Sequence, residues 1–136
     1  MLYGCVVLES LNDPQAVAGW TPVVERVSNM PDDPEAKVWH VRWYHLRKAD
    51  VAGRLGQLSA AMRPQWYAHF WRDDELYVIL AGRAFRLSAS DRSTWAPMLA
   101  YGDKVGIDRK WTETIPTTLP AYVQDALAAQ LYPLFD

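Results

Sequence analysis

Residues 65 to 87 hold three apolar, aromatic-rich runs with almost nothing between them. Gln65 to Trp71, Glu75 to Ala81 and Arg83 to Leu87 read as strands, separated only by Arg72-Asp-Asp74 and by Gly82. A parallel neighbour needs a crossover of about a dozen residues, so strands joined this tightly are antiparallel neighbours. Asp at the first turn and Gly at the second supply the backbone freedom that such connections require. An antiparallel sheet is therefore the fixed point around which the rest of the chain must fold.

More strands precede this meander. Tyr3 to Leu8 is a short, β-branched-rich run and reads as a buried first strand, ended by Asn12-Asp-Pro14. Val23 to Val27 and Lys37 to Arg47 read as a hairpin whose loop, Asn29 to Glu35, contains two prolines. Helical spacing appears at three places. Val51, Leu55, Leu58 and Met62 recur at four, three and four residues, which predicts one helix over Ala49 to Met62 with Asp50 as its N-cap. Ser90 to Thr94 is rich in capping residues and opens a helix to Val105, which Gly106-Ile107 stops with a Schellman turn. Thr118-Leu-Pro120 opens a last helix with Val123, Leu127 and Leu131 on one face and Pro133 at its close. Gln15 to Ala18 makes a helical turn before Gly19, and Asp108 to Thr118, which carries Trp111, is irregular.

The predicted order is β, ββ, α, βββ, α, α. It implies an α+β fold, a mainly antiparallel sheet of about five to six strands with two or three helices packed on one face. The length of 136 residues fits a single domain, residues 1–136, able to bury a core without metal or disulfide support. Seven Trp, seven Tyr and three Phe make that core aromatic.

Several function classes are excluded by composition. The formal charge is −2 with Lys and Arg scattered, so no basic block suggests nucleic acid. No apolar run approaches the roughly 20 residues of a membrane span. The N-terminal residues lack the basic stretch of a signal peptide, so a cytoplasmic location is expected. One cysteine, Cys5, excludes an intrachain disulfide and a Cys-based zinc cluster, and within Cys5-Val-Val-Leu8 it reads as a buried inert thiol. There is no phosphate loop, nucleophile elbow, His-Glu-x-x-His pair or dinucleotide fingerprint, so no cofactor is implied.

Trp66-Tyr-Ala-His-Phe70, Asp74-Glu-Leu76, Ser93-Thr-Trp95, Tyr101-Gly102 and Gly106-Ile107 together resemble a group of small bacterial proteins with no established activity. The resemblance covers mainly residues 64 to 107. It implies a bacterial, soluble, single-domain protein and transfers no catalytic residue.

Strand alternation sorts the aromatic residues. Trp39, Val41 and Trp43 alternate with Val38, His40, Arg42, Tyr44 and Leu46; Trp66, Ala68 and Phe70 alternate with Tyr67, His69 and Trp71. Grouping the uniformly apolar sets puts Trp39, Val41, Trp43, Trp66, Ala68 and Phe70 under the helices. The remaining set, His40, Arg42, Tyr44, Tyr67, His69 and Trp71, then forms one aromatic face studded with polar groups, which Tyr77 extends. Such a face suits a pocket for a small anionic or aromatic ligand, a protein interface or homodimer surface without catalysis, or a second core layer covered by the C-terminal segment. As a catalytic site it offers His69 as general base, Arg42 as an anion holder and Tyr44 or Tyr67 as a donor to an oxyanion. His40 and His69 lack a carboxylate on that face, so no metal is expected. Asp73-Asp74-Glu75 reads as a hairpin turn and Ser90 to Thr94 as helix capping. A third reading leaves the sheet without function and puts the working surface at the Asn29 to Glu35 loop or around Trp111.

Overall fold

The computed structural model describes residues 1–131. Six strands form one antiparallel sheet: β1 (Leu2–Val7), β2 (Val24–Asn29), β3 (Val38–Leu46), β4 (Ala68–Arg72), β5 (Glu75–Leu80) and β6 (Arg83–Ser88). Their spatial order is β2-β3-β1-β4-β5-β6. The α+β class and the antiparallel sheet expected from the sequence are what the chain adopts. The first strand sits between the hairpin β2–β3 and the meander β4–β5–β6, so β3 and β4 do not touch as ladder neighbours.

Among the described residues there are five α-helices: α1 (Lys48–Ala52), α2 (Leu55–Ala61), α3 (Ala96–Lys104), α4 (Arg109–Thr112) and α5 (Ala121–Leu131). The helix predicted over Ala49 to Met62 is two pieces. Gly53 weakens the centre, and Arg54 leaves helical geometry with its guanidinium over the Trp20 ring and donating to the Ala18 carbonyl. Arg47 occupies the N-cap position instead of Asp50, and the two form an ion pair at 3.1 Å. At the end of α3, Ile107 N–H donates to Gly102 and Gly106 N–H to Asp103, with Gly106 at φ 88°. That is the Schellman pattern read from Gly106-Ile107. The helix-closing role assigned to Pro133 lies outside the described residues. Among the described residues no helix is long and apolar enough to cross a membrane.

Both faces of the sheet are covered. On one, Leu2, Val6, Tyr44, Ala68, Phe70 and Ile79 pack against Val51 of α1 and Leu58 of α2. On the other, Trp71, Leu76, Val78, Leu80 and Phe85 pack against Met98 of α3 and Val123 of α5, with Trp95 and Ile107 beside them. Burying each such large apolar side chain contributes about 1.5–3 kcal/mol.

Two glycines are required by close approach. A Cβ on Gly4 would lie 2.0 Å from Phe70 Cδ1, so the Phe70 ring lies directly over the β1 backbone. Gly82 has φ 86° in the β5–β6 turn, and a Cβ there would lie 2.9 Å from Tyr101 Oη, which donates to Ala81. The other turn uses Asp73 at φ 50°. Its neighbour Asp74 accepts from the Ser90 N–H and the Ser88 hydroxyl, which bonds hold its carboxyl below the usual range. The acidic cluster at residues 73 to 75 thus works as a structural turn.

Candidate functional site

β1 decides which side chains share a face. Cys5 lies opposite Trp43 of β3 on one side and opposite His69 of β4 on the other. Directly opposed residues point to the same face, so Trp39, Val41 and Trp43 stand with Tyr67, His69 and Trp71. His40, Arg42 and Tyr44 belong to the opposite face, with Ala68 and Phe70. The alternation read within each strand is correct. The grouping of the two strands is reversed, and the six residues expected to form one patch divide three and three.

On the far face His40 and Arg42 have charged partners, while the buried Tyr44 hydroxyl has no hydrogen-bond partner among the described residues. His40 Nδ1 is 2.7 Å from Glu9 Oε2, while the His40 backbone N–H donates to Glu9 Oε1 at 2.5 Å. Arg42 pairs with Glu25 of β2 at 3.4 Å. Tyr44 is buried in the core against the edge of Trp20, and burial pushes its phenol up.

On the near face the aromatic rings form a continuous wall. His69 stacks on Trp71 with centroids 5.2 Å apart, and Trp71 meets Trp43 edge to face at 6.3 Å. Trp43 Nε1 donates to the Tyr122 hydroxyl of α5 at 2.6 Å. Trp71 is buried in the core beneath this coverage. Beyond it, towards the start of β3, the helices give way to irregular chain and a pocket of about 310 Å³ opens. Cys5 and Val7 of β1 line its floor with Trp39, Val41 and Trp43 of β3. Tyr67 and His69 form one side, with Gln65 and Trp66 before β4. Trp111, Pro116 and Asp33 close the rest. Trp66 does not continue β4 as the sequence suggested. Gln65 takes φ 73°, the strand begins at Ala68, and Trp66 turns to meet Trp39 at 5.1 Å.

His69, Tyr67 and Cys5 of this pocket are uncharged at neutral pH. Burial pushes the His69 imidazole down to about 4, partly opposed by a hydrogen bond to the Pro116 backbone. Burial, and secondarily Cys5, pushes the Tyr67 phenol up to about 12. Burial alone does the same to the Cys5 thiol. Desolvation disfavours the charged form in each case. His69 is 4% exposed, and its Nε2 has no hydrogen-bond partner among the described residues. A buried polar atom without a partner is uncommon and costly.

A second hollow of about 200 Å³ adjoins the first, and Asp33, Gln65, Trp66 and Trp111 line both. Its other walls include Glu35 and Asp108. Asp33 Oδ1 accepts from the Glu35 and Ala36 N–H groups, and Glu35 accepts from Trp66 Nε1. Asp108 caps α4 by accepting from the Lys110 N–H at 2.9 Å. The two regions that the sequence offered as alternative surfaces, the Asn29 to Glu35 loop and the segment around Trp111, therefore meet at this pocket.

Of the six residues expected on one face, Tyr67 and His69 line this pocket. It assigned Trp39, Val41 and Trp43 to the core and did not connect Val7, Gln65 or Pro116 to a site. Trp111 had a signal of its own, a large aromatic in a segment read as irregular; it stands on the short helix α4 and is 52% exposed. Among the described residues no three His, Cys, Asp or Glu side chains group as metal ligands. No family model, curated protein or solved structure matches the chain.

Proposed function

We propose that the protein binds a small, largely apolar aromatic molecule in the pocket between the β3–β1–β4 face and Trp111. One observation carries the reading: an aromatic hollow of about 310 Å³ lined by Trp39, Trp43, Trp66, Tyr67 and Trp111. Ligand sites run from about 300 to 1,000 Å³ and combine apolar walls with few placed polar groups. A hollow at the small end of that range suits one or two fused rings. The anion-holding role considered for Arg42 has no support here, because its side chain stands on the opposite face beside Glu25.

Calorimetric titration with indole tests the proposal against a variant that fills the space. Val41 lines the pocket from the middle of β3. Val41→Trp should weaken indole binding by at least about tenfold, a loss of roughly 1.4 kcal/mol, with a near-wild-type melting temperature. Equal indole affinity in a folded Val41→Trp protein would place binding elsewhere.

A further inference from the structure

We infer that two copies of this chain join along β2, continuing the sheet across a two-fold axis at Val27. The inference is independent of the pocket, whose β3 residues stand on the other face of the sheet.

β2 is an outer strand, with β3 on one side of it. The phase of the β2–β3 ladder fixes which backbone groups point away from β3. Met30 N–H donates to the carbonyl of Lys37, the next pair in the register. His40, which lies opposite Val27, turns its N–H the other way, to Glu9 Oε1. Bonded and non-bonded pairs alternate along an antiparallel ladder, so Val24, Arg26 and Ser28 bond to β3. Glu25, Val27 and Asn29 turn their N–H and C=O groups outward. Among the described residues no backbone hydrogen bond outside the ladder reaches these three. The helix α5 meets this region elsewhere. Its Tyr122 packs with Arg26, and its Gln130 donates to the Val23 carbonyl just before the strand begins.

Open strand edges are ordinarily guarded by outward charge, proline or bulges. β2 contains no proline, and its two charges are drawn back onto its own chain. Glu25 pairs with Arg42 at 3.4 Å, and the Arg26 guanidinium lies 4.8 Å from the Tyr122 ring centroid. Val27 stands at the edge 60% exposed, and Val38, 39% exposed, is its diagonal neighbour on the same face.

The residues of the edge select a second copy as its occupant. Pairing about Val27 sets Val27 against its own counterpart, Glu25 against Asn29 and Arg26 against Ser28. Every outward N–H and C=O of β2 then has a partner, and no like charges stand opposite each other. Val27, Val38 and their counterparts form one apolar stripe across the junction. Moving the axis to Arg26 opposes two arginines, and moving it to Glu25 opposes two glutamates; like charges directly opposite are destabilising. Moving it towards Asn29 brings in Pro31, which has no N–H to donate.

Sedimentation equilibrium on the full chain tests this over about 1 to 100 μM. A single strand pair makes a small interface, so wild type should dimerise with a dissociation constant of roughly 10 μM. Val27→Lys and Val27→Glu each set like charges face to face and should each weaken the dimer at least about tenfold. Val27 is exposed, so both variants should keep the wild-type far-ultraviolet circular dichroism. Mixed in equal amounts at low salt, the two should associate again, because Lys then faces Glu across the axis. A wild type that stays monomeric throughout the range overturns the inference, and leaves the edge to a strand of another protein or to residues 132–136. A dimer that Val27→Lys leaves intact uses a different surface, and variants that do not associate on mixing contradict the register; either result overturns it as well.

Discussion

The buried His69 ring ties folding to pH in a way that can be worked out in advance. Burial lowers its pKa from 6.5 to about 4 in the folded chain. Above the ordinary value both folded and unfolded states are neutral at this position, and pH has no effect through it. Between about 6.5 and 4 the unfolded chain takes up a proton that the folded chain refuses. Stability therefore falls as pH falls, because the unfolded state binds more protons. The loss is complete below the folded pKa and amounts to roughly 3 kcal/mol. About 2 kcal/mol of it should appear between about pH 7 and pH 5. Urea unfolding followed by tryptophan fluorescence measures this directly. Wild type should lose stability across that window, and His69→Gln, which has no imidazole to protonate, should be flatter by that amount. His45, whose pKa burial also lowers, contributes in the same direction, so both proteins are compared in a His45→Gln background. The carboxylates with lowered values, Glu9, Asp74, Glu75 and Asp103, act below their ordinary range and outside the window. Parallel stability curves for the two proteins would refute the claim that His69 is held neutral by burial.

Two further outcomes are expected. Gly4→Ala places a methyl 2.0 Å from Phe70 Cδ1, so the ring or the strand must move, at a cost of about 3 kcal/mol. Urea melts of Gly4→Ala, Phe70→Leu and the double variant should show the two changes costing less together than their sum, and strict additivity would sink the explanation. The Cys5 thiol, raised from 9.0 to about 12, has on the order of a thousandfold less thiolate than an exposed one. Ellman's reagent should therefore modify it at least about a hundredfold more slowly in the native protein than in urea, and comparable rates would show that Cys5 is solvated.

The sequence was clear wherever local chemistry decides. The strands, the Asp and Gly turns, the Schellman stop at Gly106 and the alternation within Val38 to Leu46 and Ala68 to Trp71 all follow from period and turn residues. What it could not convey was how the two alternations relate. That relation passes through β1, because Cys5 opposes both Trp43 and His69. Grouping by polarity failed because helices cover both faces, so neither face of the central strands is marked by solvent-facing charge. His69 and Phe70 are both buried, on opposite sides. The helix break at Arg54 was also invisible locally, since the attraction is to Trp20 and Ala18, far away in sequence. Asp108 to Thr118 read as irregular, yet Trp111 reaches the pocket from the four-residue helix α4, too short to show a period, and Pro116 from the chain after it.

The position of β1 has a consequence for assembly. The hairpin β2–β3 and the meander β4–β5–β6 are each local units that can form from neighbouring residues. Neither pairs with the other, and among the described residues the strand joining them is β1, the earliest of the six in the chain. During synthesis β1 can zip onto β3 once Leu46 has emerged, but its other edge stays open until residues 68 to 72 are made. Completing the sheet means closing that long interval, which is slow relative to hairpin formation. Until then Tyr3, Cys5 and Val7 line an exposed strand edge, so the early half of the chain is the stage most prone to pairing with other molecules. The pocket shares this dependence, because its floor on β1 and its His69 wall are joined only in that last step.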